Sequence, residues 1–210
     1  SAASDVYKRQ NIMYALSKAT NIRKNNDGEY AILGIPYAQY VKGEFDFSKN
    51  IRIDHRNSFA FHIGMGIAVP YGNAKTIPFE KQYFSGGANS VRGWTVRDLG
   101  PGSFVRDENT NLLDQSGDIK LDASIEYRSK LFWKFQGAIF VDAGNIWTIR
   151  DYDNQPGGVF KFDKFYKQIA VAYGLGLRLD LDFFILRFDG GMKALNPCLL
   201  YTSDAADEAR

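Results

Sequence analysis

The sequence predicts an all-β protein, an antiparallel up-and-down sheet of the kind that walls a transmembrane β-barrel. Three observations lead there. Six segments, each about ten residues or longer, alternate apolar residues with polar or small ones, and ten residues is the length a tilted strand needs to cross a bilayer. In most of them one face is almost uncharged, while the other mixes Asp, Glu, Lys and Arg with Gly and Ala. A water-filled barrel interior accommodates that mixture better than the solvent face of a soluble sandwich does. Finally, the links between segments alternate short and long, which places tight turns at one membrane side and long loops at the other.

Taken in order, residues 1–10 share no pattern with the interior of the chain. Like residues 198–210, they resemble translated adaptor sequence and are left out of the fold expectation. The tail beyond Ser203 carries local helix signals without functional meaning. Residues 11–29 hold a broken pattern that ends in the polar turn Lys24-Asn25-Asn26-Asp27-Gly28. From Tyr30 a β pattern begins, in which Tyr37, Gln39, Val41, Gly43, Phe45 and Phe47 alternate imperfectly with Ala38, Tyr40, Lys42, Glu44 and Asp46. The next segment is clean, with Phe59, Phe61, Ile63, Met65, Ile67 and Val69 on one face and Ser58, Ala60, His62, Gly64, Gly66 and Ala68 on the other.

Pro70-Tyr71-Gly72-Asn73 ends that strand and opens a long loop that runs to about Ser116. Within it, Phe84-Ser85-Gly86-Gly87-Ala88-Asn89-Ser90-Val91-Arg92-Gly93-Trp94 has too many glycines for a helix and no room for alternation. Loops of this length in a compact domain are functional or disordered. Phe84, Val91, Trp94 and Leu99 predict that this one packs against something, and a buried Arg92 then needs acidic partners.

After the loop the alternation resumes. Ile119, Leu121, Ala123, Ile125 and Tyr127 oppose Asp118, Lys120, Asp122, Ser124, Glu126 and Arg128. Phe135, Gly137, Ile139, Val141 and Ala143 oppose Lys134, Gln136, Ala138, Phe140, Asp142 and Gly144. Two further strands follow, at about 168–180 and 183–193, with Arg178, Asp180, Arg187 and Asp189 on the charged side as an ion-paired wall. Trp133, Trp147, Tyr127 and Phe165 fall near strand ends, where aromatic girdles belong. Six strands are too few to close a membrane barrel, for which about eight is the lower limit, so the expected sheet is incomplete.

Composition excludes several function classes. A net charge of +2 gives no reason to expect a nucleic-acid partner, and one Cys with two His can build neither a disulfide framework nor a zinc site. No apolar run reaches the roughly 18 residues of a spanning helix, and a mean hydropathy of -0.31 is compatible with a barrel whose strands average out as polar. Gly86-Gly87 lacks the strand-turn-helix context of a phosphate cradle. Glu126 and Asp142 could form a catalytic carboxylate pair, but an Arg-binding role accounts for both. His55 and His62 read as ordinary rim and interior residues. Lys161, Lys164, Tyr166 and Lys167 read as solvated loop charge, with contact to lipopolysaccharide phosphate as the sharper alternative.

With the strands placed, the motifs resemble the BamA/TamA surface-antigen family of outer-membrane insertases and transporters. They are Gly86-Gly87 through Val91-Arg92-Gly93-Trp94, then Phe140-x-Asp142-x-Gly144-Asn145-x-Trp147, then Gly174-x-Gly176-x-Arg178-x-Asp180. The loop wording at residues 70–73 and 99–103 is similar to TamA-type members from Bacteroidetes. The resemblance, over residues 30–197, implies the C-terminal part of a sixteen-stranded barrel, itself preceded by periplasmic POTRA repeats, with about six strands here and the closing last strand lacking. It implies a Gram-negative outer membrane, client β-barrel proteins, outer-membrane lipid and lipopolysaccharide as partners, and neither an enzyme activity nor a cofactor. It also implies that the loop folds into the lumen, where Arg92 meets Glu126 and Asp142 on the wall and Gly144 leaves space beside the aspartate. Trp94 departs from the family's usual Phe or Tyr but keeps an aromatic plug. Other functions compatible with the pattern are a two-partner-type secretion transporter, a passive porin and a soluble carbohydrate-binding β protein.

Overall fold

A computed structural model describes residues 2–8, 31–32, 35–36, 38–72, 76–105, 115–181 and 183–198. The expected broken strand at 11–29, the tail at 199–210 and residues 106–114 of the long loop lie outside the described residues. The strands are β1 (Ala2–Lys8), β2 (Ala31–Ile32), β3 (Ile35–Pro36), β4 (Gln39–Arg52), β5 (Asn57–Tyr71), β6 (Ile119–Lys130), β7 (Phe135–Trp147), β8 (Ala170–Asp180) and β9 (Ile185–Leu195). Seven of them form one antiparallel sheet in the order β1-β4-β5-β6-β7-β8-β9, and β2 pairs with β3 alone. From β4 onward every neighbour in the main sheet is the next strand of that sheet in the chain, the up-and-down order that the alternating links predict.

The register keeps the two faces separate across the whole sheet. Phe45 pairs with Met65, Met65 with Leu121, Ile125 with Val141 and Val141 with Tyr173. The opposite parity aligns Ala60 with Glu126, Glu126 with Phe140 and Phe140 with Gly174. A one-residue slip in any ladder would carry charges to the apolar face, so the pattern itself fixes the pairing. Between β8 and β9 the register shifts at Val171/Ala172, so that Ala194 is the extra residue of a bulge and Leu195 stays on the apolar face.

Burial is inverted relative to a soluble protein. Ile63, Met65, Ile67, Val69, Ile125, Ile139, Val141, Leu175 and Leu177 are all exposed, by 40 to 67%. The glycine, alanine and charged positions between them, such as Ala68, Ala138, Asp142 and Ala172, are buried at 3% or less. An apolar patch of this extent far exceeds the few hundred Å² that soluble monomers leave uncovered, which rules against the soluble β reading. Lengths agree with a membrane span. At about 3.3 Å per residue and a tilt near 40°, the eleven residues of β8 rise roughly 28 Å, close to the hydrocarbon core thickness.

Three short turns, at Ile53–Arg56, 131–134 and 181–184, close one end of the sheet, and the 72–118 and 148–169 connections occupy the other. At the short-turn end Phe132, Trp133 and Phe183 are exposed by 68 to 85%, as an interfacial aromatic belt requires. Trp147 departs from that expectation. It is wholly buried, its ring capped edge-on by Phe160 and Phe165 at 5.5 and 6.4 Å, because the 148–169 loop folds back over the end of β7.

The sheet also has one strand more than the six expected. Ala2–Lys8 lies along β4 in a continuous register from Ala2↔Phe47 to Lys8↔Val41. The open side of β4 presents unpaired N–H and C=O groups, and an extended neighbouring segment satisfies them whatever its own pattern.

Candidate functional site

The part of the long loop at 84–105 lies against the charged face of β6 to β9. Its first turn is made by Gly86 and Gly87, both at positive φ (97° and 87°), and Gly87 N–H donates to the Trp94 carbonyl at 2.8 Å. A Cβ on Gly86 would sit 2.1 Å from the Thr95 carbonyl oxygen, so the narrow hairpin excludes a side chain there. Val91, Trp94 and Leu99 form a small apolar core with Ala170 and Ala172 of β8. Gly93 makes the closest approach: a Cβ at this position would lie 2.8 Å from the Ala172 Cβ and 3.4 Å from the Met192 backbone.

This packing drives the Arg92 side chain, only 5% exposed, into a group of acids. Nε donates to Asp142 Oδ2 at 2.7 Å and Nη2 to Asp142 Oδ1 at 2.8 Å, the bidentate fork that suits a guanidinium. Nη1 donates to Glu126 Oε2 at 2.8 Å and to Asp189 Oδ2 at 3.2 Å, and Nη2 also donates to Ser124 Oγ at 3.2 Å. All five N–H donors of the guanidinium are thereby used. The Arg92 backbone N–H adds a sixth bond, to Asp142 Oδ2 at 3.1 Å. Phe140 lies flat beneath the cation, its ring centroid 3.4 Å from Cζ.

The acids are themselves braced. Ser124 Oγ donates to Asp142 Oδ1 at 2.7 Å, Glu126 Oε1 accepts from Arg128 Nε at 2.7 Å and is paired with Arg178, and Asp189 Oδ2 accepts from Arg187 Nε. Arg187 Nη2 reaches the loop directly, donating to the Ala88 carbonyl at 2.8 Å. The inner group therefore holds four guanidiniums against three carboxylates and borders a cavity of about 580 Å³. Neighbouring His62 sits between Asp46 and Asp122, with Nε2 2.7 Å from Asp46 Oδ2.

The structure thus brings Arg92, Glu126, Phe140 and Asp142 into contact, with Gly86, Gly87, Val91, Gly93 and Trp94 shaping the hairpin that carries the cation. Gly144 sits elsewhere. The space it leaves is filled by β6, because a Cβ there would meet the Leu121 carbonyl oxygen at 2.6 Å and Asp122 Cα at 3.0 Å, so it serves close strand pairing. Sequence reasoning treated Asp189 and Arg178 only as wall charges and gave Ser124 no role. Their parity on the charged face was the available signal, and the two partners on β8 and β9 could not be assigned until the loop's depth was known.

A second polar cluster joins the two long loops. Asn145 Nδ2 donates to the Gly102 and Gln168 carbonyls, and Trp147 Nε1 donates to Gln168 Oε1 at 2.9 Å. Gln168 Nε2 in turn donates to the Gly157 carbonyl at 3.2 Å. Asp118, 1% exposed, accepts from Ile149 N–H at 3.0 Å through Oδ2, while Oδ1 is buried with no hydrogen-bond partner among the described residues. Burial pushes the Asp118 carboxyl above the usual carboxylate range, against the opposing pull of the Ile149 N–H and Arg150. Among the described residues no group of three or more His, Cys, Asp or Glu could hold a metal ion.

An apolar outer face, a charged inner face and a loop folded onto the latter define part of the wall of a membrane-spanning β-barrel. Residues 24–197 match the Omp85 superfamily domain, and the chain belongs to that superfamily. Over 99 residues it is 35% identical to the outer membrane protein assembly factor BamA of Neisseria meningitidis serogroup B, a stretch that covers 43% of this chain and 12% of that protein. Its fold is similar to that of BamA from Haemophilus ducreyi lacking POTRA domains 1-3, with a TM-score of 0.57 at 18% identity over 92% of this chain and 46% of the other. The chain therefore spans less than half the length of either relative.

Proposed function

We propose that the chain is part of an outer-membrane barrel that assembles or translocates other proteins, and that Arg92 acts as the pin holding the in-folded loop to the barrel wall. The observation that carries this reading is the use of all five Arg92 donors by side chains from β6, β7 and β9. One loop residue so placed ties three strands together and fixes the depth of the loop in the lumen. Engagement of Glu126 and Asp142 by guanidiniums supports anchoring over acid-base catalysis, since neither carboxylate is free to take up a proton from a substrate.

The partners this reading implies are client β-barrel proteins, periplasmic POTRA repeats of the same protein, and outer-membrane lipid with lipopolysaccharide, in a Gram-negative and Bacteroidetes-like cell. Client strands would add at a sheet edge through unpaired backbone groups, the interaction that makes open edges adhesive. The test compares the reconstituted full-length protein with its Arg92→Ala variant. An assembly barrel shows a mostly closed pore, and the variant slows insertion of a denatured client barrel into phosphatidylcholine vesicles. Large steady conductance in the unmodified protein, with client insertion untouched by the variant, would make the protein a porin. Export of a secreted polypeptide without any client insertion would make it a two-partner-type transporter.

A further inference from the structure

The 148–169 loop carries a feature that the loop-anchoring role does not use. Lys164 N–H bonds the Lys161 carbonyl and Lys167 N–H bonds the Lys164 carbonyl, and Phe165–Gln168 is a single 3-10 turn. Phe165 and Gln168 turn inward to Trp147, while the three lysines stay on the outside of the turns. All three lysines are exposed. The stretch 161–167 carries one acid, Asp163, among its three lysines, and Asp151 shares with Lys161 and Lys164 a groove of about 200 Å³.

The same loop also exposes aromatic side chains. Phe162 is 85% and Tyr166 59% exposed, and Phe162 packs on Phe160 at 4.9 Å. Phe160 and Phe165 also border a groove of about 440 Å³ on the apolar face, lined by Phe45, Met65, Ile67 and Leu121 of the sheet, with Asp5, Glu44 and Lys120 on its wall as well. The groove has almost no polar surface. Exposed cations and exposed aromatics on one loop, whose Phe160 and Phe165 also border an apolar groove, match an anionic head group, an interface and an acyl chain.

We propose that this loop seats the phosphorylated head group of an acyl lipid from the leaflet at the long-loop end, with acyl chain in the groove that Phe160 and Phe165 border. The proposal rests on the membrane-barrel reading but is independent of Arg92. The full-length protein is purified in dodecyl maltoside micelles and offered lipid A or dephosphorylated lipid A, and bound lipid is counted by native mass spectrometry. The expected result is retention of lipid A about tenfold above the dephosphorylated form. A Lys161→Gln, Lys164→Gln, Lys167→Gln variant, altered only at exposed side chains, loses that preference, and the corresponding triple Arg variant keeps it. Equal retention of the two lipids, or unchanged preference in the Gln variant, overturns the proposal. Full displacement by inorganic phosphate also overturns it, because the site would then recognise a free anion. The Gln variant leaves client insertion at the unmodified rate, so failure of this proposal and failure of the assembly reading give different results.

Discussion

Replacing Arg92 with alanine removes the five side-chain hydrogen bonds but keeps the backbone bond from residue 92 to Asp142. The consequences for the three acids are unequal. Glu126 retains Arg128 and Arg178, and Asp189 retains Arg187. Asp142, with its side chain 0% exposed, retains only the Ser124 hydroxyl and that backbone N–H. Stranding a buried carboxylate costs about 3 to 5 kcal/mol, and the two surviving bonds with the adjoining cavity place this case near 3 kcal/mol. If the cost falls on loop docking, about 3 kcal/mol corresponds to roughly a hundredfold or more in the docking equilibrium. Hydrogen exchange read by mass spectrometry over residues 84–99 measures this directly, since Gly87 and Trp94 N–H groups are bonded within the hairpin. Exchange there should accelerate by about two orders of magnitude, while the β5–β6 ladder keeps its protection. Acceleration below about threefold would refute the reasoning, for the hairpin would then be held by Val91, Trp94 and Leu99 alone. An Asp142→Asn change made in the Arg92→Ala background should recover part of the loss, because it discharges the stranded group.

Gly93→Ala places a methyl 2.8 Å from the Ala172 Cβ, and overpacking of this kind costs about 1 to 3 kcal/mol; the same exchange assay should show the hairpin loosened, and Ala172→Gly should restore much of its protection. Asp118 has a folded-state pKa raised by burial, so the folded state binds its proton more tightly than the unfolded chain does. Stability at the base of β6 should therefore fall as pH rises from the ordinary carboxylate value through the raised one, and Asp118→Asn, which keeps an acceptor for Ile149, should flatten that dependence in urea titrations. Gln168→Ala leaves the buried Trp147 indole N–H without its acceptor, a loss of about 1 to 3 kcal/mol. The check is tryptophan emission, which should shift to the red as the loop lifts, and unchanged emission would count against the two-loop junction.

The strand pattern was legible because a membrane wall obeys a simple rule at every position. Alternation at period two with an uncharged outer face sorted Glu126, Phe140 and Asp142 onto one side and Ile125, Ile139 and Val141 onto the other, as the register has them. What sequence could not supply was depth. Asp189 joins Arg92 only because Gly93 and Gly191 let the hairpin press onto β8 and β9: a Cβ on Gly191 would lie 2.6 Å from the Arg92 carbonyl oxygen. Trp147 was placed in a girdle by its position at a strand end, yet its exposure depends on where the 148–169 loop lies. The pairing of Ala2–Lys8 follows from an open edge rather than from any pattern in those residues.

A buried ion cluster is a poor way to gain stability, since apolar side chains of the same volume do as well or better. Its value here lies in what an apolar contact cannot specify. Val91, Trp94 and Leu99 rest on Ala170 and Ala172, a smooth small-residue surface that would tolerate a hairpin shifted along the strands. The Arg92 fork tolerates no such shift: Asp142 must meet Nε and Nη2 together while Glu126 and Asp189 converge on Nη1. Those acids belong to three different strands, so a change in the relative heights of β6, β7 and β9 breaks at least one of these contacts. On the proposed pinning role, the apolar core makes the loop adhere and the cation sets its register against the wall. On this division of labour, substitutions in the core reduce how long the loop stays docked, whereas substitutions at Arg92 alter where it docks, and only the second changes the shape of the lumen.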